Sequence, residues 1–239
     1  MSGAALIGLA AALLAATAPA QALIAAFSDA APGAAPPAPW RVATVAKLQQ
    51  HTRYDIVTLD GATVLRATAE ASYANLLHPL DGEHAQRLRW RWRVERPVER
   101  SDLTRKDGDD VPARVCVLFD VPLERLHFGD RLRVQLGRAL FDPQLPAASI
   151  CYVWDRQLAP GTWLANAYTD RVQMLVLRRG QYGNWFEESR DLARDFARAF
   201  PYEARGGLPP LAAIGVAADA DNTGGRSLAY FGDLSVQAR

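Results

Sequence analysis

A mainly β fold, a two-sheet antiparallel β-sandwich or jelly roll with one short helix, is what this 239-residue sequence predicts. Three observations predict it. Apolar and polar residues alternate with period two, most clearly from Arg87 to Val94, where Leu88, Trp90, Trp92 and Val94 interleave with Arg87, Arg89, Arg91 and Arg93. Turn-forming residues separate about nine or ten such short segments. One segment alone, late in the chain, spaces its apolar residues at threes and fours. No βαβ rhythm, internal repeat or heptad run occurs, which disfavours a doubly wound nucleotide-binding fold.

The N-terminal residues come first. Met1 to Ala22 form an Ala- and Leu-rich stretch ending in Ala20-Gln21-Ala22, a small-x-small cleavage signature, although no Lys or Arg precedes the apolar block. Pro19 interrupts the block, which is shorter than the roughly 20 apolar residues a membrane span needs. Residues 1–22 are therefore read as a signal peptide, giving a periplasmic or secreted protein with no transmembrane anchor after processing. Residues 23–39, with Pro32, Gly33, Pro36, Pro37 and Pro39, read as an Ala/Pro-rich linker. Residues 40–239 then form a single β-sandwich domain, roughly 200 residues and long enough for one core.

Within that domain, Tyr54–Leu59 and Thr63–Ala69 flank Asp60-Gly61-Ala62, a hairpin turn that tolerates positive φ. Alternation predicts further half-buried strands at Val115, Val117 and Phe119, at Leu132, Val134 and Leu136 against Arg131, Arg133 and Gln135, and at Val172, Met174 and Val176. Ile150–Trp154 is continuously apolar, as in a strand covered on both faces. Leu192, Ala193, Phe196 and Phe200 predict the helix, over Glu188–Ala199 and ended by Pro201. Ile214–Ala218 and Tyr230–Val236 are the last strands. Cys116 and Cys151, both in apolar stretches, suit either a disulfide in an oxidising compartment or two small core residues.

Net charge is +1, from 27 basic and 26 acidic residues, so no whole-protein field draws the chain to nucleic acid or an anionic membrane, and neither partner is expected. No Gly-x-Ser-x-Gly elbow occurs, and the histidines lack metal-ligand spacing.

Two acidic loops stand out. Lys106-Asp107-Gly108-Asp109-Asp110 is the first, and Asp219-Ala220-Asp221-Asn222-Thr223-Gly224-Gly225 the second, with Gly232-Asp233 beyond it. Oxygen ligands at alternate positions before a glycine can wrap a hard cation, so Asp219, Asp221 and Thr223, joined by Asp109, Asp110 or Asp233, form a candidate calcium site. A helix-loop-helix calcium loop does not fit, because its twelfth position is Tyr230. The plainer alternative is that turns favour Asp, Asn and Gly.

The arginine face of 87–93 is a second candidate: Arg87, Arg89, Arg91 and Arg93 project at about 7 Å intervals, and Arg131 and Arg133 extend the stripe if their strand is a neighbour. Such a stripe can grip sulfate, phosphate or uronate groups, or can pair with acids across strands. Tyr182 and Trp185, flanking Gly183-Asn184, are the aromatics best placed to stack on a sugar.

Trp90-Arg91-Trp92, Lys106-x-Gly-Asp-Asp110, Ala113-Arg114-Val115, Tyr152-x-Trp154, Trp185 with Arg190-Asp191, Asp219-x-Asp-Asn-Thr223 and Gly232-Asp233 together carry a family likeness. In their order and spacing, from about Trp40 to Val236, the chain resembles the exported bacterial family called domain of unknown function three thousand and forty-seven. It departs from that pattern at Phe200-Pro201, where a Phe-Gly pair is expected. The resemblance implies export, bacterial origin and a whole-chain domain; it supplies no catalytic residue. The function expected is a non-catalytic periplasmic binding or accessory module for a glycan or other envelope polymer. The alternative is a glycoside hydrolase or lyase, drawing two carboxylates from Asp109, Asp110, Glu187, Asp219, Asp221 and Asp233. A structural envelope protein acting through protein contacts shares the sequence features of the first.

Overall fold

In the computed structural model, which describes residues 24–44, 48–140 and 146–237, two β-sheets pack face to face. Residues 1–22, expected to be a signal peptide, lie outside the described residues. The seven-stranded sheet runs β1 (Arg41–Thr44), β4 (Ala74–Glu83), β11 (Leu211–Ala217), β6 (Ala113–Phe119), β7 (Ala148–Asp155), β9 (Thr169–Arg179) and β8 (Trp163–Asn166). The six-stranded sheet orders β10 (Phe186–Asp191), β5 (Arg87–Arg96), β12 (Arg226–Phe231), β3 (Ala62–Glu70) and β2 (Arg53–Leu59), with β13 (Ser235–Gln237) also pairing with β5. Two α-helices, α1 (Phe128–Leu140) and α2 (Leu192–Ala199), and four short 3-10 turns complete the described elements. A mainly β, two-sheet fold is thus observed.

The alternation of β5 settles its two faces. Leu88, Trp90, Trp92 and Val94 are all buried, and Trp92 is fully so. Trp90 lies 5.3 Å from Tyr152 and Trp92 5.5 Å from Trp154, ring centre to ring centre, so β5 of one sheet meets β7 of the other across an aromatic seam. β2 and β3 close a hairpin over Asp60-Gly61, both with positive φ, as the Asp-Gly pair predicts. β7 is buried along its whole length, because residues facing away from the main core meet a second cluster with Leu103, Val111 and Met174. That cluster contains the Cys116–Cys151 disulfide, formed between residues directly opposite in β6 and β7.

Several expectations need correction. Residues 131–136 are not a strand: they belong to α1, so Arg131 and Arg133 cannot extend the arginine stripe. Arg, Leu and Gln are strong helix formers, and of the three alternating apolar residues Val134 alone is buried, which suits one helix turn against the core and not a half-buried strand. The predicted helix over 188–199 begins only at Leu192, since 186–191 pairs with β5 and Asp191 caps the helix by accepting the Arg194 N–H at 3.0 Å. Among the described residues there are therefore two α-helices, not one. Pairing is antiparallel everywhere in the described sheets except between β7 and β9, which run parallel.

Residues 24–39 are packed where a linker was expected. Ile24 and Phe27 sit in the main core, and Phe27 lies 4.9 Å from the Trp40 ring. Gly33 N–H donates to Ile56 O at 2.7 Å and Ile56 N–H to Ala34 O at 3.2 Å, so the segment lines the free edge of β2. Proline stiffens a chain that then loses little entropy on docking, which lets two apolar anchors hold it. His78 completes the clasp: its Nε2 accepts the Ala25 N–H at 3.0 Å while Trp40 Nε1 donates to Ala25 O at 2.8 Å.

Candidate functional site

The outward face of β5 carries the arginines, and its neighbours decide what each can do. β10 places Glu187 opposite Arg91, Ser189 opposite Arg89 and Asp191 opposite Arg87; on the other side β13 places Ser235 opposite Arg89. Arg87 donates to Ser189 Oγ at 3.3 Å. Arg93 is tied to Glu95 at 2.6 Å and to Asp60 at 3.0 Å. The Arg91 guanidinium lies 4.9 Å from the centre of the Trp185 ring. Its aliphatic stem crosses Gly232, where an added Cβ would fall 2.5 Å from Nε, so only glycine admits that path. The Arg89 side chain is exposed and makes no hydrogen bond or ion pair with any described residue.

These side chains border an open cleft of about 900 Å³. Arg89, Arg91, Glu187, Ser189, Asp233 and Ser235 line it, and Ser28 and Thr63 close its far side. Asp233 is occupied, since the N–H and the hydroxyl of Ser28 donate to its two oxygens at 3.0 and 2.6 Å. Glu188 is occupied too, accepting from Arg178 at 2.6 Å and from Trp92 Nε1 at 3.1 Å. Glu187, like Arg89, has no partner among the described residues. The cleft thus offers one open cation, one open carboxylate and a row of hydroxyls.

Trp185 and Tyr182 do not form a shared platform. Trp185 stands at the Arg91 end, its Nε1 donating to Asp60 at 3.2 Å. Tyr182 packs against the core 6.5 Å from Trp154, and burial pushes its phenol above the ordinary range.

The two acidic loops do meet, where the chain enters β6 and leaves β11 in the seven-stranded sheet. Oxygens of Asp110, Asp219 and Asp221 come within 4.8 Å of one another. Asp110 accepts the Asn222 N–H at 3.1 Å and both the N–H and hydroxyl of Thr223, at 2.7 and 2.6 Å. Asp219 accepts the Val111 N–H and pairs with Arg114. Asp109 accepts from Asn166 Nδ2 at 2.6 Å through one oxygen; its other oxygen is buried without a donor. Burial raises the carboxyl of Asp109, and burial with the charge of Asp110 raises that of Asp221. Four carboxylates share this corner with the guanidinium of Arg114. Asp233, expected as a possible fifth member, instead borders the cleft on the other sheet; sequence order had placed it near the loop, but β12 carries it away.

What the sequence could not reveal is the partner of each group. Glu187 and Ser189 enter the cleft through a strand pairing between segments about a hundred residues apart, Ser235 through one between segments about 150 apart, and the alternation of 186–191 was hidden by the helical spacing that follows it.

No curated protein matches the chain in sequence. Among solved structures the chain is similar to "Cellulose induced protein, Cip1", with 10% identity, 84% of this chain and 91% of that one covered, and a TM-score of 0.38, a distance at which the likeness carries no conclusion. Residues 38–235 match the model described as "Protein of unknown function (DUF3047)", so the chain belongs to that family.

Proposed function

We propose that this is an exported, non-catalytic binding module that holds a glycan or similar envelope polymer in the cleft on the six-stranded sheet. The observation that carries this reading is the pair of open charges, Arg89 and Glu187, set among serine hydroxyls. Sugar hydroxyls both donate and accept, so a ligand of that type satisfies a guanidinium and a carboxylate in one groove, while an acidic sugar adds a bidentate contact to Arg89. The hydrolase alternative needs two free carboxylates roughly 5 to 9.5 Å apart. Here Glu187 is open, but Asp233 and Glu188 are held by their own partners, which favours binding over hydrolysis. Among the described residues, no helix is long and apolar enough to cross a membrane. Affinity electrophoresis through gels containing uronate-bearing or neutral polysaccharides tests the reading. Retardation by at least one polymer, weakened about tenfold in Arg89→Ala and in Glu187→Gln, is expected; equal mobility of wild type and variants in every gel would overturn it.

A second reading concerns the acidic corner and is favoured by the buried, donorless oxygen of Asp109. We infer that calcium binds there, through oxygens of Asp109, Asp110, Asp219 and Asp221, since hard cations take six to eight oxygen ligands and four carboxylates outnumber the one guanidinium. Thermal melts in millimolar calcium and in chelator should differ by several degrees. Coincident midpoints would remove calcium and leave the corner as an internal tie between loops.

A further inference from the structure

The near-neutral whole-chain charge conceals one strongly asymmetric element. Helix α1 buries Val134, which is only 4% exposed, and turns Phe128, Leu132 and Leu136 outward at 81%, 50% and 52% exposure. These three stand at i, i+4 and i+8, so they form one continuous stripe on the face away from the core. Exposed phenylalanine and leucine in that arrangement are not the usual scatter of single surface apolar residues.

The flanks of the stripe are basic. At 100° per residue, Arg131 falls about 60° to one side of Phe128 and Arg133 about 60° beyond Leu136 on the other, with Asp130 turned toward the core side. Arg131 Nε is held by Leu123 O at 3.0 Å, and Asp130 lies 3.7 Å from Arg171 and pairs with Arg133 at 3.3 Å, so the helix is locked in this rotation while the solvent-exposed Arg133 holds only a surface ion pair that a lipid phosphate can replace. Next to its N-terminus His127 stacks on Tyr202 at 3.5 Å, and Arg205 lies 5.0 Å from the same ring. An apolar stripe, arginines along both margins and a half-exposed tyrosine at one end are what an interfacial helix presents to a bilayer: the stripe enters the headgroup and acyl boundary to about 5–10 Å while guanidinium groups meet lipid phosphates.

We propose that α1 docks the protein reversibly on an anionic lipid surface through Phe128, Leu132 and Leu136, with Arg131 and Arg133 at headgroup level. A second copy fits the face less well. The three side chains expose roughly 300 Å² together, far below the ~800 Å² per partner of a stable interface. A two-fold copy would also set arginines against arginines. The basic margins instead match negative lipid phosphate, and the shortness of the stripe makes the attachment weak and sensitive to salt.

Vesicle flotation with the full chain tests this, because residues 1–22 are then common to wild type and variants. Wild type should float with phosphatidylcholine vesicles containing a third phosphatidylglycerol, several-fold more than with phosphatidylcholine alone, and half a molar salt should reduce the difference. Phe128→Ser combined with Leu132→Ser should lower binding about tenfold without moving the melting midpoint, since both side chains are exposed. Arg133→Gln should narrow the preference for anionic vesicles. Equal flotation of wild type and the double variant, or no binding to either vesicle, would overturn the proposal. So would a wild-type dimer in size exclusion that the double variant converts to monomer.

Discussion

The cleft on the six-stranded sheet and the acidic corner of the seven-stranded one hold charge in opposite ways. In the cleft, Arg89 and Glu187 are exposed and unspent, so they cost the fold little and are available to a ligand. In the corner, Asp110 and Asp219 are almost wholly buried and held by backbone N–H groups, Thr223 and Arg114, so they join the 109–111 and 219–223 loops into one body. Exposure decides the difference: a charge in water is cheap to leave unpaired, while a buried one must be matched.

Breaking the corner should have the largest effect. Arg114→Ala leaves the buried carboxylate of Asp219 without its cation, and denaturant unfolding should report a loss of about 3 to 5 kcal/mol. A loss below about 1 kcal/mol would mean that the corner relaxes to admit water, and the contrast with the cleft would fail.

A smaller effect of opposite sign is expected at Asp221. Burial and the neighbouring Asp110 hold its folded carboxyl above the usual value. Such a group favours the fold fully below its unfolded pKa and loses that contribution as pH rises through the raised folded value. At neutral pH without calcium, Asp221→Asn should therefore stabilise, by less than about 1 kcal/mol after allowance for partial exposure. Melts from pH 4 to 7 should show the gain growing with pH; a gain that is flat across the range would place its cause elsewhere.

The smallest change in stability belongs to Arg89→Ala, within about 0.5 kcal/mol, because no described residue bonds to its guanidinium. The same variant should lose polymer retention. A destabilisation above 1 kcal/mol would show that Arg89 is structural after all and would blur the line between the two regions.

Period two in the sequence was enough to place β5, β6 and the β2–β3 hairpin and to bury Trp90 and Trp92, because alternation and a tight turn are local signals. The same rule misread 131–136, where a helix presents alternate apolar residues of which one is buried. β4 and β8 passed unnoticed: β4 contains Pro79 and an Asp-Gly pair, which read as a breaker, and β8 is four residues long. For the site, residue type alone singled out the arginine row and the Asp219 loop. It could not tell that Arg87, Arg91 and Arg93 are engaged while Arg89 is free, since that depends on which strand pairs with β5. Nor could it separate Asp233 from Asp221, twelve positions away in sequence but on the other sheet.

The cleft draws its lining from residues 28, 62–63, 89–91, 187–189, 233 and 235, so it exists only once segments far apart in sequence have met. Contacts of such high sequence separation form late and slowly in folding. A fragment lacking β13 loses the Ser235 side of the cleft, and a chain emerging from synthesis completes the cleft only after Ser235–Gln237 have docked beside β5. Ligand retention should consequently report complete folding, and a bound polymer should raise the stability of the whole domain and not of one sheet alone.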